Sequence, residues 1–203
     1  MSRQLVFVRH GQSEGNAVGS LHSLAPGSPL TALGHREAAA LVDTLGGLDI
    51  RSVWASTMTR AQQTAAPLAA ARGLQVQVLD GVREAYLGTL HDRRDAEAHE
   101  QFEDVMAAWT VGGDPDLDCA GGESASDVIT RYLAAVDKVL ADLDGGTAVI
   151  VSHGAATRLS VARLAGVDAA FVLRHHLPNT GYVVVDEVDG EWVCTQWNGL
   201  VPP

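Results

Sequence analysis

Cysteine is nearly absent from this chain. Its 203 residues include only Cys119 and Cys194, and neither belongs to a CxxC motif. Disulfide-stabilised domains and structural zinc sites need several cysteines at defined spacings. The sequence therefore predicts neither a disulfide framework nor a zinc cage, and we expect both cysteines to be reduced thiols.

Basic residues are also scarce. Lys and Arg together number 14 against 25 Asp and Glu, which gives a formal net charge of −11. Proteins that bind nucleic acids or anionic membrane surfaces need an excess of basic residues to neutralise phosphates, so this balance argues against both classes. Among the 14 basic residues only Lys138 is a lysine. The others are arginines, whose planar guanidinium groups favour bidentate contacts with a bound anion.

Long hydrophobic runs are missing as well. The first apolar run, residues 5–8, is shorter than the hydrophobic core of a signal peptide, and no stretch approaches the roughly 20 apolar residues that span a bilayer. We therefore expect a cytoplasmic protein without a membrane partner. Because 46% of the residues are hydrophobic, a chain of this length can bury a sizeable core. We expect a single domain over residues 1–203.

Strand-like and helix-like segments alternate along the chain. Short apolar segments predict strands, and amphipathic or alanine-rich segments predict helices. Strands are expected over residues 5–8, 52–55, 75–79 and 147–151, and helices over 32–45, 58–72, 126–143 and 156–165. Pro67 should kink the second of these helices or remove one of its hydrogen bonds. The alternation predicts an α/β fold with three α/β/α layers and a mainly parallel central sheet.

The segment after residue 90 interrupts this alternation. Within residues 92–111 the apolar side chains are spaced as one stripe of a helix; they are Phe102, Val105, Met106 and Trp109. We interpret residues 91–125 as a small helical lid insertion over the site, in which the aromatic side chains pack rather than line the pocket. Near the end, residues 182–185 and 192–196 flank Val188-Asp189-Gly190 as the strands of a hairpin.

Two of the predicted strands end in a histidine followed by a glycine. His10 and Gly11 follow the first strand, and His153 and Gly154 follow the strand over 147–151. The carboxyl ends of parallel strands meet at one edge of a sheet, so we expect the histidines to lie close together. A single buried histidine is more often a packing residue than a catalytic one. Two in equivalent positions, each beside a glycine that lets the backbone approach a ligand, favour a shared site.

Arginines and a carboxylate accompany the histidines. Arg9 precedes His10, and Arg60 lies near the start of the helix over 58–72. Guanidinium groups and the N–H groups of a helix N-terminus both bind oxyanions. Glu84 follows the third predicted strand and can serve as a general acid or base. Alone, Arg60 would be a solvated helix residue and Glu84 a surface carboxylate; together with the histidines they predict an oxyanion site.

Five segments around these positions occur in the order of one known family. They are LVFVRHGQSEGN at 5–16, PLTALG at 29–34, STMTRAQQT at 56–64, the Arg-Glu pair at 83–84 and VSHG at 151–154. Together they closely resemble the histidine phosphatase superfamily. That group includes the cofactor-dependent phosphoglycerate mutases and the phosphatase half of the bifunctional fructose-bisphosphate enzyme. Any one segment would be weak evidence, whereas the ordered set is specific.

The resemblance implies a phosphoglycerate mutase-like fold and phosphoryl transfer through a phosphohistidine. In that mechanism His10 attacks phosphorus, and Glu84 protonates the leaving oxygen and then helps to activate water. The residues that would hold the phosphate oxygens are Arg9, Arg60, His153, Asn16 and Gly154. The scheme calls for no metal and no cofactor, because the arginines supply the positive charge.

Two departures from the mutase pattern bear on the substrate. After the acid, mutases normally continue with Arg, His and Tyr, whereas Ala85, Tyr86 and Leu87 stand here, so a basic side chain is missing. Residues 92–116 also carry eight acidic residues against Arg93 and Arg94. Such a segment suits a bisphosphate poorly. A phosphomonoester hydrolase acting on a small phosphorylated metabolite is therefore favoured, with a phosphoglycerate mutase as the alternative.

Two further interpretations stay open. A catalytically inactive relative could use the same pocket only to bind phosphorylated ligands. A mononucleotide-binding α/β module is less favoured, because the loop after the first strand lacks the GxGxxG spacing. The sequence identifies neither the natural substrate nor the oligomeric state, and a homodimer stays open.

Overall fold

A six-stranded sheet forms the centre of the protein, seen here in a computed structural model that describes residues 2–203. Its strands are β1 (Arg3–Arg9), β2 (Ile50–Ala55), β3 (Val76–Val78), β4 (Gly146–Ser152), β5 (Tyr182–Val188) and β6 (Glu191–Trp197). They lie in the order β3-β2-β4-β1-β5-β6. The first four in that order pair in parallel, whereas β5 pairs antiparallel with β1 and with β6. The prediction of a mainly parallel sheet is confirmed.

Helices cover both faces of this sheet. They are α1 (Glu14–Ala17), α2 (Ala32–Thr44), α3 (Thr59–Ala71), α4 (Ala96–Thr110), α5 (Ala125–Ala141), α6 (Gly154–Ala165) and α7 (Ala169–Arg174). Successive side chains of a strand point to opposite faces, and β1 divides its apolar side chains accordingly. Phe7 packs in the same core cluster as Val136 of α5, and Val8 packs with Leu41 of α2 and Leu68 of α3. The three-layer α/β/α architecture follows from these two cores.

The register of the central strands determines which loops meet. β1 and β4 pair so that Arg9 lies opposite Ser152, and β2 pairs with β4 so that Ala55 lies opposite Val151. The residues that follow these strands therefore leave the sheet side by side. His10, His153 and Ser56 are those residues.

The observed elements differ from the predicted ones mainly at their ends. Val188 was expected in the hairpin turn but is the last residue of β5, so the turn consists of Asp189 and Gly190. The short helices α1 and α7 were not predicted, because four and six residues are too few to show a helical period. Pro67 lies inside α3, which continues to Ala71. The buried neighbours of Pro67 hold the helix together despite the missing N–H donor.

The segment interpreted as a lid insertion, residues 91–125, contains α4, the helix expected within residues 92–111. Trp109 is buried, and its indole nitrogen donates a hydrogen bond to the Leu117 carbonyl at 2.7 Å, which confirms that it packs. Phe102 is half-buried and packs against the same core, as expected, and it also lines the cavity described below.

Both cysteines are buried and unpaired. Burial raises the pKa of each thiol to about 11, so both are protonated at neutral pH. Within residues 2–203 no helix is both long and apolar enough to cross a membrane. Met1 belongs to the domain expected over residues 1–203 but lies outside the described residues, and that single-domain assignment stays a prediction.

Candidate active site

A cavity of about 600 Å³ opens where β1, β2 and β4 end. His10 follows β1, Arg60 is the second residue of α3, and Gly154 begins α6 after β4. Six of the predicted site residues line this cavity: Arg9, His10, Asn16, Arg60, Glu84 and Gly154. His153, the seventh, lies fully buried behind them. The structure thus gathers residues from widely separated parts of the chain.

The hydrogen bonds of His10 define its tautomer. Its Nδ1 lies 2.7 Å from the Gly11 carbonyl oxygen, and its Nε2 lies 2.9 Å from Nε of Arg60. A carbonyl only accepts and a guanidinium only donates, so Nδ1 carries the proton and Nε2 holds the lone pair. Burial, with the charges of Arg60 and Arg9, lowers the pKa of His10 well below 6.5. The imidazole is therefore neutral at neutral pH, with a nucleophilic nitrogen.

His153 is oriented in the same way by two partners. Nη2 of Arg60 donates to Nδ1 of His153 at 3.1 Å, which leaves the proton of a neutral ring on Nε2. That nitrogen donates to the hydroxyl of Ser56 at 2.7 Å. Burial and the Arg60 charge lower the pKa of His153 well below 6.5 as well. The two imidazole centroids lie 5.2 Å apart, with Arg60 bridging them.

The arginines retain unused donors. Arg60 is 3% exposed, and its Nη1 is buried without a hydrogen-bond partner among residues 2–203. Arg9 donates from Nη1 to the Leu177 carbonyl at 2.6 Å, while its buried Nε has no partner in the same part of the chain. Burial lowers the pKa of Arg60 to about 10, so it stays cationic at neutral pH. Buried donors without acceptors are costly, and an oxyanion in the cavity would satisfy them.

Glu84 is held by backbone groups at the start of α6. One carboxylate oxygen accepts from the amide of Ala156 at 2.9 Å, and the other accepts from the amide of Ala155 at 3.3 Å. The Glu84 carbonyl accepts from Nη2 of Arg131, whose Nε donates to Glu123 at 2.7 Å. This ion pair and the helix N-terminus fix the carboxylate at the wall of the cavity.

Asn16 and Asn179 meet beside the nucleophile. The Asn16 side-chain oxygen accepts from Ser13 in the capping box of α1 and from Nδ2 of Asn179, which leaves its amide nitrogen for a ligand. Asn179 also donates to the His10 carbonyl at 2.9 Å. Asn179 therefore ties the loop before β5 to the loop after β1, and no pattern in the sequence predicts that contact.

Gly11 has a different role from the one expected of it. A Cβ at this position would lie 2.7 Å from the carbonyl oxygen of Gly34 in α2, so the glycine is needed for close packing and not for approach to a ligand. Gly154 differs, since it lines the cavity and lies beside Arg9.

Arg158 also lines the cavity, although it was not among the predicted site residues. It lies four residues after Gly154 on α6, a spacing that places side chains on one face of a helix. The spacing from Gly154 is therefore the sequence feature that could have indicated Arg158 as a site residue. Ser56 lies in the family-like segment 56–64, but its contact with His153 was not predicted.

Within residues 2–203, no group of three or more His, Cys, Asp and Glu side chains is arranged to hold a metal ion. The guanidinium groups of Arg9, Arg60 and Arg158 bring positive charge to the cavity. The fold and this site describe an α/β protein with an arginine-rich anion pocket around two neutral imidazoles.

The chain matches the profile of the histidine phosphatase superfamily (branch 1) over residues 5–199. It belongs to that family. It is 29% identical to the probable phosphoglycerate mutase GpmB of Enterobacter sp. (strain 638), with 96% of this chain and 89% of the relative covered. It is 33% identical to the PE-PGRS family protein PE_PGRS11 of Mycobacterium tuberculosis (strain ATCC 25618 / H37Rv). That match covers 96% of this chain, which spans only 36% of the relative's length.

Solved structures show the same fold. A mycobacterial glucosyl-3-phosphoglycerate phosphatase in complex with VO3 superposes with a TM-score of 0.84 at 26% identity, and the match covers 98% of this chain and all of the other. A putative α-ribazole-5'-P phosphatase from Escherichia coli superposes with a TM-score of 0.77 at 25% identity, over 99% and 98% of the two chains. The relatives thus include proteins named as phosphatases and as a mutase.

Proposed function

We propose that this protein hydrolyses phosphomonoesters of small metabolites through a phosphohistidine at His10, without a metal ion. The observation that carries the proposal is the contact between Arg60 and Nε2 of His10 at 2.9 Å. It assigns the lone pair of His10 to Nε2, beside a cavity in which Arg9 and Arg60 keep buried, unused donors, and a phosphate that takes the Arg60 donors frees that lone pair to attack phosphorus. A neutral imidazole nucleophile beside fixed cations is the arrangement that phosphoryl transfer requires.

In the first step, Nε2 of His10 forms a bond to phosphorus while the bond from phosphorus to the ester oxygen breaks. Glu84 gives its proton to the departing oxygen, so that an alcohol leaves. In the second step, water attacks phosphorus and gives a proton to Glu84. The bond between phosphorus and Nε2 of His10 breaks. Inorganic phosphate leaves, and neutral His10 is restored. Arg9 and Arg60 hold the phosphate oxygens in both steps, and Asn16 and the Gly154 backbone add contacts. The expected contact of His153 with those oxygens stays a prediction; its present bond orients Arg60.

A phosphatase is favoured over a mutase by the walls of the cavity. Glu103 and Asp104 of α4 line it, while Ala85 stands where a mutase places a basic side chain. A mutase must grip a bisphosphate and shield its phosphohistidine from water. Acidic side chains from the lid insertion oppose the first requirement. The small-molecule partner, the lid role of residues 91–125 and a cytoplasmic location are parts of the same proposal, and a homodimer stays open.

A substrate panel tests this proposal. With the chelator EDTA present, the protein is expected to release phosphate from p-nitrophenyl phosphate and from several alkyl phosphates. With 3-phosphoglycerate and a trace of 2,3-bisphosphoglycerate, it should form little 2-phosphoglycerate. Inorganic phosphate and the isomer are measured in the same samples. Efficient isomerisation without comparable phosphate release would identify a mutase, and activity that needs added zinc or magnesium would contradict the metal-independent mechanism.

Substitution of Glu84 by glutamine should separate the two chemical steps. The amide of the E84Q variant cannot give a proton, so alkyl phosphates with poor leaving groups are expected to lose roughly 100- to 10,000-fold in rate. p-Nitrophenyl phosphate, whose leaving group needs no proton, should lose far less in the step that forms the phosphohistidine, measured as a pre-steady-state burst. The matched control is Glu100→Gln, an exposed residue of α4. Equal losses for both kinds of substrate would show that Glu84 is not the acid.

A further inference from the structure

Arg158 is a buried cation for which the hydrolytic steps above have no use. It is 4% exposed, and its Nε donates to the Gly154 carbonyl at a long 3.3 Å. Its Nη1 is buried without a hydrogen-bond partner among residues 2–203. Burial lowers the pKa of Arg158 to about 10, so the side chain remains cationic at neutral pH. A buried guanidinium with an unused donor lowers the stability of the fold. This cost indicates a ligand that accepts a hydrogen bond from that donor.

The surroundings place this guanidinium next to the phosphate position. Arg158 reaches back over the first turn of α6 to Gly154, and a Cβ on Gly154 would lie 3.5 Å from Nε of Arg9. His176, an exposed residue after α7, lines the same side of the cavity, and the Arg158 charge contributes to lowering its pKa. Arg9 and Arg158 thus both lie beside Gly154 in one cavity, so a ligand that binds Arg9 through its phosphate has Arg158 as a neighbouring cation.

No carboxylate of residues 2–203 lies within ion-pair distance of Arg158. Glu84 is the carboxylate whose charge acts on Arg158, and it acts on Arg9 and Arg60 as well. Glu103 also lines the cavity but lies exposed on α4. A phosphate dianion held by Arg9 and Arg60 takes up two of the three guanidinium charges, and Arg158 has no carboxylate within ion-pair distance among residues 2–203. One positive charge is left over.

We propose that Arg158 binds a second anionic group of the substrate. The substrate class is then a phosphomonoester that carries one further carboxylate or phosphate a few bonds from the ester, unlike the 2,3-bisphosphoglycerate of a mutase, which carries two further anionic groups. This inference rests on the proposed function, since it deepens the substrate of the same site. A guanidinium binds either group through paired N–H donors, and His176 can donate a further hydrogen bond at the rim.

Matched substrate pairs test the subsite. In the carboxylate arm, O-phosphoserine is compared with O-phosphoethanolamine, and 3-phosphoglycerate with glycerol 3-phosphate. In the phosphate arm, 1,3-propanediol bisphosphate is compared with its monophosphate. The wild-type protein is expected to favour the anionic member by about tenfold or more in kcat/KM in at least one arm, since one charge-assisted contact is worth that factor. Ratios near one in both arms would overturn the proposal.

Substitution of Arg158 shows whether the preference comes from this side chain. In the R158Q variant the ratio should fall to within about threefold of unity, mainly through a higher KM for the anionic member, and R158K, which keeps the charge but not the paired donors, should keep part of the preference. Equal losses for both members of a pair would show a merely structural role. Thermal unfolding checks the folding of each variant, and the wild-type ratios test the proposal even if R158Q fails to fold.

Binding measurements separate this proposal from the proposed hydrolysis. If the protein releases no phosphate from p-nitrophenyl phosphate, the proposed hydrolysis is contradicted, but the anion subsite at Arg158 is not. Calorimetric titration of the same pairs into H10A, and into H10A combined with R158Q, then gives the affinity ratio without turnover. Tighter binding of the anionic member by about tenfold, seen only when Arg158 is present, supports the subsite, and equal affinities in both backgrounds overturn it.

Discussion

Replacement of His10 by alanine is expected to abolish turnover, with a loss in kcat on the order of 10,000-fold or more, as for other covalent nucleophiles. The imidazole supplies Nε2 as the atom that bonds to phosphorus, and among the histidines that line the cavity it is the one whose ring contacts Arg60. His153 cannot substitute for it, because that ring is fully buried and does not line the cavity. Initial rates with p-nitrophenyl phosphate measure the loss.

The same experiment contains its own chemical test. Rapid acid-free quenching of the wild-type protein during turnover should trap one acid-labile phosphate per chain, and H10A should trap none. Because H10A leaves Nε of Arg60 without its acceptor, thermal unfolding is measured alongside. The matched control is His35→Ala, an exposed residue of α2 that should leave the rate unchanged. Substantial activity in a folded H10A variant would remove His10 from the mechanism.

Replacement of Arg60 by alanine is expected to lower kcat/KM on the order of 1000-fold, since an arginine that stabilises a phosphoryl transition state has effects of that size. Arg60 contributes twice. It offers a buried donor to the phosphate, and it holds His10 and His153 through separate nitrogens of one rigid fork. Lysine cannot span both rings from a single ammonium, so R60K should recover only a small part of the loss.

The pH profile distinguishes this role from a loss of packing. The Arg60 charge lowers the pKa of both histidines, so its removal lets the pKa of His10 rise toward 6.5 while the burial contribution remains. The residual activity of the alanine variant should therefore decline on acidification at a higher pH than that of the wild type. Arg36→Ala, an exposed residue of α2, is the control. A lower rate with an unshifted acid limb would contradict the proposed contact with His10.

Much of the fold could be predicted because buried parallel strands appear in a sequence as short, continuous apolar runs. The apolar runs of β1 and β4, each followed by polar residues and a glycine, indicated adjacent strands and a shared edge. The same reasoning brought His10 and His153 together, although most of the chain lies between them. The interpretation failed where packing and not pattern decides, as at Gly11, whose neighbour is the backbone of α2.

Other parts of the site depend on contacts that carry no local signal. Asn179 reaches the His10 carbonyl across 169 positions, and nothing in the residues around it marks that partner. Arg158 depends on the turn at which α6 begins, and the helix starts at Gly154 rather than two residues later as expected. The tautomers of His10 and His153 could not be predicted from the sequence either, because they depend on the hydrogen bonds that the rings make with Arg60 and Ser56.

The pairing of Arg9 with Ser152 across β1 and β4 has a consequence for how such a protein can diversify. The spacing of its two imidazoles is governed by hydrogen bonds between the innermost strands, whereas Phe102, Glu103 and Asp104 reach the cavity from α4, outside the sheet. Mutations that reshape α4 therefore leave the backbone under the nucleophile untouched. Natural variation can alter the choice of substrate in small steps while the phosphoryl chemistry is inherited unchanged.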